Sequence, residues 1–153
     1  MDRIVVATDG SPASREAVHF AVELTKEHDS KVYFVHVVPE LYVLPTNGFG
    51  GLGAVPREVT DDDRESLQDA EALAEEEGVW ARTATLRGDV VDEIVAYADN
   101  LAADLIVVGS RGHGTFASAL LGSVSRGLLS ESRRPIMVVR GAVGIEAQAA
   151  ASR

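Results

Sequence analysis

Two short polar segments each stand directly after an apolar, β-branched run, and they carry the residue types best suited to ligand chemistry. Thr8-Asp9-Gly10-Ser11 follows Ile4-Val5-Val6-Ala7, and Gly109-Ser110-Arg111-Gly112-His113-Gly114 follows Leu105-Ile106-Val107-Val108. A third segment, Gly122-Ser123-Val124-Ser125, opens a helical pattern. Gly109 and Gly112 let the main chain approach a ligand closely and adopt positive φ without steric cost. A helix beginning near Ser123 presents free N–H groups and the positive end of its dipole, which together form an anion site. The hydroxyls of Ser123 and Ser125 add hydrogen-bonding capacity. A carboxylate such as Asp9, across a crevice from these groups, suits a sugar hydroxyl or a base edge rather than a phosphate. The combination makes a nucleotide cradle. Taken singly, each feature is more often a turn or a cap. Neither standard fingerprint is present, since the chain has no G-x-x-x-x-G-K-[ST] and its glycines do not form G-x-G-x-x-G.

The elements that must position these residues follow from the apolar pattern. Ser11 before Pro12 is a helix start, with serine as N-cap and proline at the first helical position. Ala17, Phe20, Ala21 and Leu24 then share one face. Residues 32–38 form a second strand. Residues 39–56 hold four glycines and three prolines among their apolar residues and read as a long mobile loop. A helix over 59–77 puts Leu67, Ala70, Leu73 and Ala74 on one side, with Gly78 as its stop. A third strand spans 79–86. Asp89 then caps a helix bearing Ile94, Val95, Ala98 and Leu101, and a fourth strand spans 104–109. A helix over 123–131 and a strand over 135–140 complete a single domain of residues 1–140, and 141–153 reads as a loose tail. Alternation of strand and helix predicts an α/β three-layer sandwich, a five-stranded parallel sheet with helices on both faces. Ligands of such sheets sit beyond the carboxyl ends of the strands, where the strand order reverses.

Composition excludes several classes. The chain has 153 residues, no cysteine and a formal net charge of −10, with lysine only at positions 26 and 31. Disulfides and thiol catalysis are therefore absent, and the charge argues against a general nucleic-acid binder. No run of eighteen apolar residues supports a membrane span, and the first residues do not resemble a signal peptide, so a cytoplasmic protein is expected. His113 reads as a solvent-facing loop residue and His36 as a hydrogen-bonded core histidine. His19 and His28 are too scattered to form a zinc site with the others. Asp61-Asp62-Asp63 serves the helix dipole and water. Asp9 lacks the acidic pair that a phosphoacceptor of a receiver domain would need.

The spacing Gly109-x2-Gly112-x9-Gly122-Ser123 resembles the ATP-binding signature of the universal stress protein family. Thr8-Asp9-Gly10-Ser11 and His36-Val37 resemble that family too, and the likeness covers residues 3–140. The resemblance implies an adenine nucleotide alpha hydrolase-like fold. It also implies that Ala7, Thr8 and Asp9 lie against adenine and ribose, and that Val37 contacts the base. Val108, Gly109 and Gly112 would line the ribose and α-phosphate, while Gly122, Ser123, Val124 and Ser125 would hold the outer phosphates. Arg111 and Arg126 would offset the acidic surface locally. Mg²⁺ or Mn²⁺ would bridge the phosphates, with no protein metal ligand assigned. Residues 135–140 would pair two copies into a homodimer. The implied role is a nucleotide-dependent sensor or switch in stress response. A slow ATP hydrolase or nucleotidyl transferase is an alternative, and a dimeric adaptor without nucleotide is another. Gly127, inside the last helix, costs about 0.5–1 kcal/mol relative to alanine and would loosen the phosphate cradle.

Overall fold

The computed structural model describes residues 1–45, 52–110 and 121–141. Arg111, Gly112 and His113, and the tail from residue 142 onward, lie outside the described residues. In chain order the elements are β1 (Arg3–Ala7), α1 (Pro12–His28), β2 (Lys31–Val38), β3 (Leu41–Pro45), β4 (Leu52–Pro56) and α2 (Asp61–Glu76). They continue with β5 (Ala81–Arg87), α3 (Val90–Asn100), β6 (Leu105–Gly109), α4 (Ser123–Glu131) and β7 (Ile136–Val139).

Five strands form one parallel sheet in the order β5-β2-β1-β6-β7. Side chains alternate across it, as the two-residue period of a strand requires. Ile4, Val6, Val32, Phe34 and Val107 pack with Ala17, Ala21 and Val22 of α1 and Leu67, Ala70 and Ala74 of α2. Val5, Tyr33, Val35, Ile106 and Val108 face the other way, onto Ile94 and Ala98 of α3 and Leu128 of α4. Burial on both faces is why the central strands read as unbroken apolar runs. This is the three-layer α/β sandwich expected from the sequence. The chain runs outward through β1, β2 and β5, then returns to β6 and β7 on the other side of β1. The order therefore reverses between β1 and β6, whose register pairs Ala7 with Val108.

Helix starts follow local chemistry. The Ser11 hydroxyl accepts the Ser14 N–H at 3.3 Å, with Pro12 at the first helical position. Asp89 caps α3 through the Asp92 N–H at 3.1 Å. The segment 39–56 departs from the loop reading. Its two strands pair antiparallel, with Tyr42 opposite Val55 and Pro45 opposite Leu52. The β-formers Leu41-Tyr42-Val43-Leu44 and Val55 outweigh the glycines here. Both prolines that end these strands sit at terminal positions, where a missing N–H is tolerated. α2 begins at Asp61 rather than at 59 because Thr60 is its cap.

Candidate functional site

At the carboxyl end of β1 the chain leaves the sheet in a tight turn. The Thr8 amide still donates to the Val35 carbonyl at 2.9 Å. One residue on, an Asp9 carboxylate oxygen accepts the Ser11 N–H at 2.9 Å. Gly10 has φ of 77°, a left-handed conformation that a side chain disfavours. The Thr8 and Ser14 hydroxyls lie 3.3 Å apart, and Ser14 donates to the Ser11 carbonyl at 3.0 Å. The turn is thus fixed from both sides, with Thr8 buried and Asp9 half-buried.

Across the switch point, Ser110 donates its amide to the Val139 carbonyl at 2.7 Å, and its own carbonyl accepts the Gly122 N–H at 2.7 Å. Ser110 and Gly122 are thus adjacent at the switch point. Gly122 is the N-cap of α4 in extended geometry, and, being glycine, it offers no side chain of its own to cap the helix. Among the described residues, no side chain takes the first amides of α4, and a helix start of this kind is the physical basis of an anion site. Ser123 is exposed at that end.

Three details correct the reading of single residues. The Ser125 hydroxyl is buried and donates to the Gly109 carbonyl at 2.9 Å, so its proton ties α4 to β6 rather than reaching outward to a phosphate. Gly109 is not in the positive-φ region. A Cβ there would lie 2.6 Å from the Ala13 carbonyl carbon and 2.8 Å from the Ser14 nitrogen, so the glycine admits the first turn of α1. Gly127 likewise faces α3, where a Cβ would meet a Val91 methyl at 2.6 Å. It tightens the seat of α4 rather than loosening it.

The apolar site candidates gather on one side. Ala7, Val37, Val108 and Val124 all join the cluster between the sheet and α3–α4. Val37 and Val108 are buried, so what they offer a ligand is chiefly main chain.

A second group adjoins the Thr8 turn from the opposite face. His36 Nδ1 lies 2.8 Å from the Thr8 carbonyl, and its Nε2 lies 2.8 Å from Asp63 Oδ1. The histidine is thus the hydrogen-bonded core residue expected. Asp63 is not the solvated charge expected of it. The same carboxylate accepts Arg57 Nη2 at 2.9 Å, the Thr60 N–H at 2.8 Å and the Thr60 hydroxyl at 2.9 Å, and Asp63 is only 5% exposed. Burial pushes its carboxyl up, but the bonds from the Thr60 amide, Arg57, His36 and the Thr60 hydroxyl outweigh this and hold it well below the usual carboxylate range. The T-x-x-D spacing of Thr60 and Asp63, a variant of the capping box, is the sequence signal that marks Asp63 apart from Asp61 and Asp62.

The family model described as "Universal stress protein family" matches residues 1–140. The chain belongs to the universal stress protein family. It is 35% identical over 147 residues to universal stress protein YxiE of Bacillus subtilis, spanning 91% of this chain and 99% of that one. Among solved structures, the universal stress protein from Archaeoglobus fulgidus in complex with dAMP matches at TM-score 0.66 and 26% identity, over 91% of this chain and 98% of that one. A universal stress protein in complex with cAMP matches at TM-score 0.65 and 27% identity, over 90% of this chain and 95% of that one. The membership agrees with the parallel sheet and its order reversal. Among the described residues, no helix of this universal stress protein is long and apolar enough to cross a membrane.

Proposed function

We propose that this universal stress protein binds an adenine nucleotide in the crevice between the carboxyl ends of β1 and β6. The observation that carries this reading is the glycine-capped N-terminus of α4, set beside the preformed Thr8–Asp9 turn at the point where strand order reverses. The helix amides serve the phosphate, and Asp9 serves the sugar. Relatives that hold dAMP and cAMP support the class of ligand. The finer proposal is ATP with Mg²⁺ or Mn²⁺. Among the described residues, no group of three histidine or acidic side chains could hold a metal ion. Mg²⁺ would keep several of its waters and take phosphate oxygens among its remaining ligands.

The protein acts in the cytoplasm as a nucleotide-dependent switch in stress response, as a homodimer. Support for the dimer is β7, an apolar edge strand whose four residues are all half-buried. An edge of this kind is a template for a second copy. Titration calorimetry with AMP, and with ATP in the presence and absence of Mg²⁺, tests the site. Binding is expected for both, with ATP–Mg²⁺ tighter, and Gly122→Val weakens it by crowding the helix amides. No heat with either nucleotide at millimolar concentration overturns the reading.

A further inference from the structure

The cluster of polar and ionisable groups around buried His36 and Asp63 lies on the α1–α2 face of the sheet, apart from the crevice, yet it grips the crevice's central residue. Where β1 leaves the sheet, the Thr8 carbonyl is met at 2.8 Å by the His36 ring. A carbonyl oxygen only accepts, so Nδ1 carries the hydrogen. On its other side the ring's Nε2 meets the Asp63 carboxylate at 2.8 Å. Asp63 is in turn held by Arg57 and by Thr60 at the cap of α2. Arg57 is anchored as well, its amide donating to the Glu40 carbonyl at 3.0 Å and its carbonyl accepting from Arg87 at 3.1 Å. His36 is 8% exposed, so water is a poor substitute for either partner.

We infer that His36 is a positioning residue of the nucleotide site: its Nδ1–H fixes the Thr8 carbonyl, and thereby the Thr8–Asp9 turn, while Asp63 and Arg57 fix the ring. The inference rests on the nucleotide reading above and deepens it. The neighbouring residue Asp9 orients toward the ligand only if the peptide joining it to Thr8 is held in one plane, and the Thr8 carbonyl belongs to that peptide. The ring contributes without touching the ligand, and in doing so it links the base of the β3–β4 segment and the start of α2 to the crevice.

Two substitutions separate positioning from stability, because the asparagine amide occupies the place of Nδ1 and the glutamine amide the place of Nε2. His36→Asn keeps a donor for Thr8 and releases Asp63, so its AMP affinity stays within about threefold of wild type while its thermal stability falls. His36→Gln keeps a donor for Asp63 and releases Thr8, so its AMP affinity drops roughly tenfold in protein that circular dichroism shows to be folded. His36→Gln binding AMP as tightly as wild type overturns the inference, as does an equal loss in both variants. Should neither variant fold, the wild-type protein decides. Its His36 Nδ1–H proton resonance is expected to move on saturation with AMP, and a resonance that stays in place overturns the inference. Absence of AMP binding by the wild type removes the nucleotide reading first and this inference with it.

Discussion

A methyl group added at position 109 would lie within 2.8 Å of three main-chain atoms of Ala13 and Ser14. Neither neighbour is a side chain that can turn away, so α1 would have to shift off the sheet. Gly109→Ala should therefore lower the unfolding free energy of the ligand-free protein by about 1–3 kcal/mol, measured by urea denaturation. At Gly127 the obstacle is a Val91 methyl, and alanine gains roughly 0.8–1 kcal/mol of helix propensity there. The loss at 127 should be the smaller of the two. Had Gly109 existed only to admit a ligand, its replacement would leave ligand-free stability unchanged, and that result would sink the packing explanation. The Ser125 hydroxyl belongs to the same seam, since it closes α4 onto the Gly109 carbonyl.

At the scale of elements, α2 depends most on side-chain chemistry at its start. Thr60 accepts the Asp63 N–H, and the Asp63 carboxylate accepts the Thr60 N–H and hydroxyl. Thr60→Ala removes one arm of this reciprocal cap, and a loss of about 1–2 kcal/mol in thermal or urea unfolding is expected. A change of only a few tenths would mean that the buried Asp63 network holds α2 without its cap. Local signals made much of this fold legible. Ser11-Pro12 and Asp89 mark helix starts through atoms three or fewer residues apart, and the apolar runs of β1, β2 and β6 announce a sheet buried on both faces. What was not legible depends on partners distant in the chain. Asp63 looks like its solvated neighbours until β2 brings His36 against it, across 27 residues of sequence. The Ser125 hydroxyl finds its acceptor 16 residues away. The strands β3 and β4 were obscured by the glycines of the segment and by prolines that pairing tolerates at strand ends. Within the site, residue types and strand-end placement were readable, whereas the direction of each hydroxyl was not.

For the whole molecule, acidification sets two effects against each other. At neutral pH the formal charge of −10 repels itself, and titrating carboxylates relieves that repulsion as pH falls. Asp63 works the other way. Its carboxyl is held below the usual range in the fold, so below pH about 4 the unfolded chain takes up the proton first and acid favours unfolding. The stability that Asp63 contributes is complete above that value and drains away as pH drops toward the lower value of the fold. Asp63→Asn cannot lose what it lacks, so comparing the two proteins isolates this one carboxylate from the background of general charge. The gap in unfolding free energy between wild type and Asp63→Asn should be widest at about pH 6. It should narrow by about 1.4 kcal/mol for each pH unit below the unfolded value. Urea midpoints followed from about pH 6 to about pH 3 give the gap directly. A gap that stays constant over that range would mean that Thr60, Arg57 and His36 do not favour the ionised carboxylate, and that the network is held by packing rather than by charge.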